Sequence, residues 1–316
     1  MNAKAQVNHS QHPLYNPHGF ILETLETQQL EEVLHRWMWN GATGGLVFGE
    51  ARIGKTQALQ QLKNSLCTRC GDPIPSIYFS VAQRDTTTIA SIYRLLCNSI
   101  NLSHSRRDRT DYLSDAVVHY LADLADASGS KTLVIYIDEM QRLHVKQLNI
   151  FAELYDRLKL LNIHLMCVFV GNDPECLDLV KLTQRSAYAH VRGRFLTQFH
   201  RFEGLLSASG VRRCLEQYDT ARYPKDGQTF VEYFLPEAVA NGFTLSSTSS
   251  ILWGCFCEYA KPLGIRSWGM QYFTSTINCL LLDFLPRHGI ENFGQEMVNA
   301  ALNLSGIDAS RVRSIS

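Results

Sequence analysis

No stretch of this 316-residue chain is apolar over the length a bilayer crossing needs, so no membrane partner is expected. Residues 1–18 are polar and lack an apolar signal region, which makes a cytoplasmic location the expectation. Charge of either sign is not in excess: thirty Lys and Arg offset thirty Asp and Glu. Without a global field, any contact with nucleic acid must come from a local basic patch. The one Cys-x-x-Cys is accompanied by neither a second such motif nor a His pair close to it in sequence. Cys67-Thr-Arg-Cys70 alone therefore falls short of the four ligands of a structural zinc site. The cysteines number nine, an odd count, and mostly sit in apolar stretches, as suits a reducing compartment where cysteine acts as a small hydrophobe. Internal repeats and low-complexity tracts are absent too. With 45% hydrophobic residues the chain can bury a large core, enough for one large domain and one smaller one.

What is present is concentrated in two places. The first is Leu46-Val47-Phe48 running into Gly49-Glu50-Ala51-Arg52-Ile53-Gly54-Lys55-Thr56. Gly49, four residues, then Gly54-Lys55-Thr56 is the spacing of a phosphate-binding loop, in which successive backbone N–H groups curl around phosphate oxygens. Glycine tolerates the backbone angles and the close approach that this requires. Lys55 reaches the β- and γ-phosphates of a nucleoside triphosphate, and the Thr56 hydroxyl stands where Mg²⁺ binds. A helix from Gln57 to Leu66 adds its positive N-terminal end to the same anion.

The second place is Leu133-Val134-Ile135-Tyr136-Ile137-Asp138-Glu139. Apolar, mostly β-branched residues predict a buried parallel strand, and its carboxylates fall at the C-terminal end, where open α/β sheets bind ligands. Asp138 is the expected Mg²⁺ partner and Glu139 the expected base for the attacking water. No Asn-Lys-x-Asp motif for reading guanine is present, so ATP is the expected nucleotide.

Periodicity supplies the setting. Helices are predicted over 19–39, 88–100, 112–125 and 145–160, and strands over 76–80, 165–170 and 196–202. Alternating strands and helices predict a parallel sheet covered on both faces. From about 207 the pattern becomes helix without strand, over 235–239, 249–260, 267–285 and 292–302, separated by Gly- and Pro-containing breaks at 261–264 and 286–289. The expected division is an N-terminal arm (1–18), an α/β nucleotide-binding domain (19–206), a helical lid (207–304) and a polar tail (305–316).

A phosphate loop on the first strand, an Asp-Glu strand third in sequence, a polar residue ending the fourth and a helical lid together resemble the AAA+ ATPases. That resemblance implies a five-stranded parallel P-loop sheet flanked by helices with a smaller C-terminal lid. It implies that Asn172 orients the lytic water. It also implies an arginine finger within Val191-Arg192-Gly193-Arg194-Phe195, with Arg194 preferred, Arg192 second and Arg201 third, and a lid contact to the γ-phosphate from Arg266 in Gly264-Ile265-Arg266. The compact single core and the closing segment 264–302 look like the transposition regulators of the TnsC and TniB type. Such proteins form ATP-bound rings or filaments on DNA and link target-selection proteins to a transposase. A loader or signalling switch that acts on protein partners without touching DNA would share every catalytic residue.

Independent of that resemblance, basic and hydroxyl groups gather at two sites. Arg106, Arg107 and Arg109 lie in one polar segment, while Arg84 and Thr86 follow the second strand. Groups of this kind hold phosphate oxygens of double-stranded DNA without reading bases.

Overall fold

Five parallel strands form the sheet, four of them largely apolar: β1 (Gly44–Gly49), β2 (Ser76–Ser80), β3 (Thr132–Asp138), β4 (His164–Asn172) and the short β5 (Phe199–Arg201). Five parallel strands are what the sequence led one to expect, and their order is β2-β3-β4-β1-β5. The computed structural model describes residues 11–16, 19–83 and 88–308. Two units divide the chain, one of residues 26–51 and 55–202, the other of 203–316 with 1–25 and 52–54.

In the first unit each parallel pair needs a crossover, and helices provide it. After α1 (Leu25–Trp39), which precedes β1, these are in chain order α2 (Lys55–Leu62), α3 (Ile89–Ser99), α4 (Thr110–Ser128), α5 (Asn149–Leu160), α6 (Glu175–Leu182) and α7 (Ala189–Phe195). Strand alternation sends Leu46, Ile135, Ile137, Cys167 and Phe169 to one core, with residues of α3, α4, α5 and α7. Phe169 meets Phe151 edge-on at 5.2 Å and Phe195 at 6.1 Å. On the opposite face α1 lies on β1 through Trp37. A Cβ on Gly45 would stand only 2.4 Å from that ring, so the position has no room for a side chain.

Element boundaries differ from expectation for local reasons. The first helix starts at Leu25, not 19. β5 is three residues long because Leu196 is spent capping α7, donating its N–H to the Arg192 carbonyl at 3.1 Å. Helix α2 stops at Leu62, since Ser65 turns back onto that carbonyl at 3.2 Å and Cys67 bridges to Pro73. The first turn of the helix expected from 145 is 3₁₀, over Val145–Leu148.

The second unit is helical, with α8 (Ala208–Thr220), α9 (Phe230–Phe234), α10 (Pro236–Ala240), α11 (Ser249–Ala260), α12 (Met270–Cys279), α13 (Leu285–His288) and α14 (Gln295–Leu304). It is not strand-free: β6 (Arg222–Tyr223) and β7 (Gln228–Thr229) pair antiparallel, closed by the Arg222 guanidinium donating to the Gly227 carbonyl at 2.7 Å. The single helix expected over 267–285 is interrupted by a π turn at Leu280–Phe284, directly before Pro286. Proline has no N–H for the carbonyl four residues back, which leaves the preceding turn free to widen. Trp268, fully buried, stacks on Phe256 at 4.6 Å and meets Phe273 edge-on at 5.2 Å.

Because Trp37 occupies the space over Gly45, Gly45→Ala is expected to lower unfolding stability by about 1–3 kcal/mol. Denaturant unfolding of Gly45→Ala, Trp37→Leu and the double variant checks this. The double variant should be destabilised by less than the sum of the single ones.

Candidate nucleotide-binding site

Register brings the chemistry together. Gly49 at the end of β1 pairs with Asn172 at the end of β4, and Ser80 at the end of β2 pairs with Asp138 at the end of β3. The phosphate loop, Asp138-Glu139 and Asn172 thus leave the sheet at the same, C-terminal edge, where ligands bind in open parallel sheets. After Gly49, Glu50 and Ala51 are exposed, Arg52 and Gly54 adopt positive φ (65° and 109°), and Ile53 is buried. In the second unit the Gln271 N–H donates to the Arg52 carbonyl at 3.3 Å, and the Arg52 guanidinium stands 5.8 Å from the Tyr272 ring centroid. Lys55, Thr56 and Gln57 form the first turn of α2.

The Lys55 ammonium has three hydrogens and three acceptors: the Gly49 carbonyl at 2.9 Å, the Glu50 carbonyl at 2.6 Å and Asn172 Oδ1 at 3.0 Å. Burial lowers its pKa to about 8, while Asp138 and Glu139 act in the opposite sense. Asn172, the water-orienting residue expected from sequence, is thereby placed beside the lysine.

Asp138 is 3% exposed, and its carboxylate is fully engaged. Oδ2 accepts from the Thr56 hydroxyl at 2.7 Å and from the Tyr78 hydroxyl at 2.8 Å, and Oδ1 accepts from the Glu139 N–H at 2.9 Å. Burial, reinforced by the neighbouring Asp138 charge, raises the Tyr78 pKa and keeps its hydroxyl a donor. A hydroxyl and a carboxylate in contact suit Mg²⁺, which takes few protein ligands and keeps several waters. Among the described residues no cluster of three or more His, Cys, Asp or Glu side chains could hold a metal by itself. Glu139 has a left-handed backbone (φ 59°), and Oε2 of its carboxylate accepts from Gln141 Nε2 at 2.7 Å and pairs with Arg142 Nη2 at 3.1 Å.

Tyr78, Gln141 and Arg142 are not among the residues to which the sequence motifs point. The polar side chains alternating along Ser76-Ile-Tyr-Phe-Ser80 carry a signal for Tyr78. Nothing marks the other two beyond their nearness to Glu139.

The remaining expected residues are more dispersed. Arg192 Nη1 donates to the Thr183 carbonyl at 2.8 Å, just past α6. Arg194 pairs with Asp156 at 2.9 Å and lies 5.4 Å over the Tyr155 ring. Arg201 pairs with Asp173 at 3.4 Å. Arg266 is exposed in the second unit, ahead of α12. Arg106, Arg107 and Arg109 are exposed between α3 and α4. Among the described residues none of the three makes an ion pair. Arg94 steadies their loop by donating to the carbonyls of Arg106 (3.0 Å) and Asp108 (3.3 Å). Arg84 and Thr86 lie outside the described residues.

Residues 39–180 match the AAA domain family. With the strand order above, the sheet and its helices have the AAA+ P-loop fold. No curated protein sequence matches the chain. Among solved structures, the chain is similar to the ORC2 protein of Aeropyrum pernix, with TM-score 0.49 and 12% identity over 91% of this chain and 70% of that one. It is also similar to the Walker-type ATPase paby2304 of Pyrococcus abyssi, with TM-score 0.44 and 18% identity over 88% and 87% of the two chains. A third likeness is to Cdc6p of Pyrobaculum aerophilum, with TM-score 0.41 and 16% identity over 80% and 65%.

The lowered lysine pKa has a measurable sign. Above about pH 8 the free amine of Lys55 is increasingly neutral, whereas a bound phosphate favours the ammonium, so nucleotide binding should take up a proton there and not below about pH 7. Calorimetry in buffers of different ionisation enthalpy measures the uptake. Lys55→Arg, charged throughout, should abolish it.

Proposed function

We propose that this chain is an ATP-hydrolysing AAA+ regulator that assembles as a homo-oligomer, ring or helical filament, on double-stranded DNA and links target-selection proteins to a transposase. The convergence of Lys55, Thr56, Asp138, Glu139 and Asn172 at one edge of the sheet carries the ATPase part of this reading. The loop N–H groups and Lys55 bind the phosphates, and Thr56 with Asp138 would hold Mg²⁺. When bound, Mg²⁺ supplies charge neutralisation at the phosphate oxygens. Asn172 orients the attacking water and Glu139 accepts its proton.

The DNA part is supported by Arg106, Arg107 and Arg109, three exposed guanidinium groups on a loop whose carbonyls are already fixed by Arg94. Arg84 and Thr86 are proposed, from the sequence alone, to contact the same DNA. Arg194 is the proposed trans finger, with Arg192 second. Its ion pair to Asp156 is partly exposed (side chains 32% and 54%), so releasing it toward a neighbouring subunit costs at most about 1 kcal/mol. Arg266 is the proposed lid contact to the γ-phosphate. Head-to-tail contacts of this kind repeat into rings or filaments. ATP binding is then the assembling step, and hydrolysis through Glu139 the release. The transposase link rests on the sequence resemblance alone. The net charge of zero favours a second reading, a loader or signalling switch directed at proteins.

Electron microscopy of the protein with double-stranded DNA and ATP-Mg²⁺ tests the assembly. Glu139→Gln should give persistent oligomers and Lys55→Ala none; equal assembly by both would contradict the scheme. Monomers under every condition, with ATP still turned over, would favour the protein-directed switch.

The DNA surface has its own readout. Removing Arg106, Arg107 and Arg109 one at a time should flatten the dependence of log K on log salt by about 0.9 for each phosphate no longer neutralised. Fluorescence anisotropy with labelled duplex measures it, and an unchanged slope would remove these residues from the interface.

A further inference from the structure

We infer that Cys67 and Cys70 form a peroxide-reactive dithiol, in which His35 takes the proton of the Cys67 thiol and Cys70 closes a reversible disulfide. The pair follows the far end of α2 and shares no residue with the nucleotide site. Behind Cys67 the chain reverses at once. The Thr68 N–H donates to the Asp72 carbonyl at 2.9 Å and the Gly71 N–H to the Thr68 carbonyl at 3.0 Å, with Gly71 at φ 91°. Cys67 also bridges to Pro73, so both cysteines lie on one tight loop, 67–73. The end of α1 clasps that loop: Trp39 Nε1 donates to the Cys67 carbonyl at 3.0 Å, and Arg69 donates to the Trp39 carbonyl at 3.3 Å with its guanidinium 5.7 Å from the ring centroid. A cation is thereby held on the loop between the two cysteines in sequence. Reactive thiols occupy partly exposed, electropositive surroundings of this kind.

His35 distinguishes the two cysteines. Its Nδ1 lies 3.1 Å from the Glu31 carbonyl, which can only accept, and its Nε2 lies 3.2 Å from the Cys67 N–H, which can only donate. The ring proton is therefore on Nδ1 and the lone pair on Nε2. That lone pair stands 3.7 Å from Cys67 Sγ. Among the described residues no such base is bonded to Cys70, which is exposed, whereas Cys67 is half-buried. Cys67 is the attacking thiol and Cys70 the resolving one. Five of the other cysteines, Cys97, Cys167, Cys176, Cys214 and Cys255, are buried.

The chemistry balances with hydrogen peroxide as the oxidant. His35 Nε2 accepts the Cys67 proton, and the thiolate sulfur attacks one peroxide oxygen. The O–O bond breaks, and the departing hydroxide takes that proton and leaves as water. Cys67 is then a sulfenic acid. The Cys70 sulfur attacks the Cys67 sulfur, the S–O bond breaks, and the second hydroxide leaves as water with the Cys70 proton. Two thiols are oxidised to one disulfide while the peroxide oxygens are reduced, and a dithiol reverses the bond by exchange.

Peptide mass spectrometry of the reduced full chain titrated with hydrogen peroxide tests this, with the exposed Cys257 as internal reference. Cys67 should react about tenfold faster than Cys257, and the peptide holding Cys67 and Cys70 should lose two hydrogens that dithiothreitol restores. Cys70→Ser should leave Cys67 as a sulfenic acid captured by dimedone. His35→Gln keeps an acceptor for the Cys67 N–H but supplies no base, and should slow Cys67 about tenfold while Cys257 is unchanged. Equal rates at Cys67 and Cys257, or an unaltered Cys67 rate in His35→Gln, overturn the assignment. Failure of dimedone to label Cys67 in Cys70→Ser does the same.

Discussion

The Asp138 carboxylate, buried at the end of a central strand, is the constraint around which the site is arranged. A charge taken out of water is tolerated only when its oxygens are hydrogen-bonded, and Asp138 obtains its partners from three segments. Thr56 comes from α2, Tyr78 from β2, and the Glu139 N–H from the turn after β3. Each bond fixes something beyond Asp138: the first turn after the phosphate loop, the lateral position of β2, and the left-handed residue that aims Glu139. Tyr78 belongs to this arrangement as firmly as Thr56. Its raised pKa follows from burial and from the same negative charge, which favours the hydroxyl as a donor.

Lys55 is the electrostatic counterpart. Its ammonium is almost as buried as Asp138, yet it has no carboxylate in hydrogen-bonding contact. Two carbonyls and one amide oxygen satisfy it instead. Neutral acceptors compensate the lost water only in part, which is why burial dominates its pKa. A site with an under-compensated cation next to a row of loop N–H groups is organised for an anion. Because all three ammonium hydrogens are engaged, an arriving phosphate oxygen must replace one acceptor. Asn172 Oδ1 belongs to a side chain that can rotate, whereas the two carbonyls belong to the loop backbone. Under the proposed function, phosphate capture by Lys55 and release of the Asn172 amide would be one exchange.

Much of this is legible in the sequence where the signal is local. The glycine spacing of 49–56 and the apolar run ending in Asp138-Glu139 mark two strands, and alternation with helices implies the parallel sheet. What escapes depends on register or on missing hydrogen bonds. Tyr78 reaches Asp138 only because Ser80 pairs with Asp138 across the sheet, and no pattern within 76–80 states that pairing. The π turn before Pro286 keeps the apolar spacing of an ordinary helix, so periodicity alone reads straight through it. The β6–β7 ladder is two residues long on each side, too short for alternation to register. Gln141 and Arg142 are visible as residues but not as partners, because they also hydrogen-bond the Asn172 N–H and the Val81 carbonyl, which are far away in the chain.

The three arginines near β5 illustrate why a motif alone does not select a trans residue. Arg192 donates to a backbone carbonyl that its departure would leave short of a partner. Arg201 sits on an edge strand and pairs with Asp173, beside Asn172. Moving it would disturb the very end of β4 that carries Asn172, the proposed water-orienting residue. Arg194 answers to an exposed aspartate and to the face of Tyr155, both of which water can serve in its absence. Under the proposed head-to-tail assembly, the residue that crosses to the neighbouring subunit is the one whose departure costs its own subunit least. On that criterion Arg194 precedes the other two, and the ion pair with Asp156 keeps the guanidinium ordered until a stronger anion draws it away.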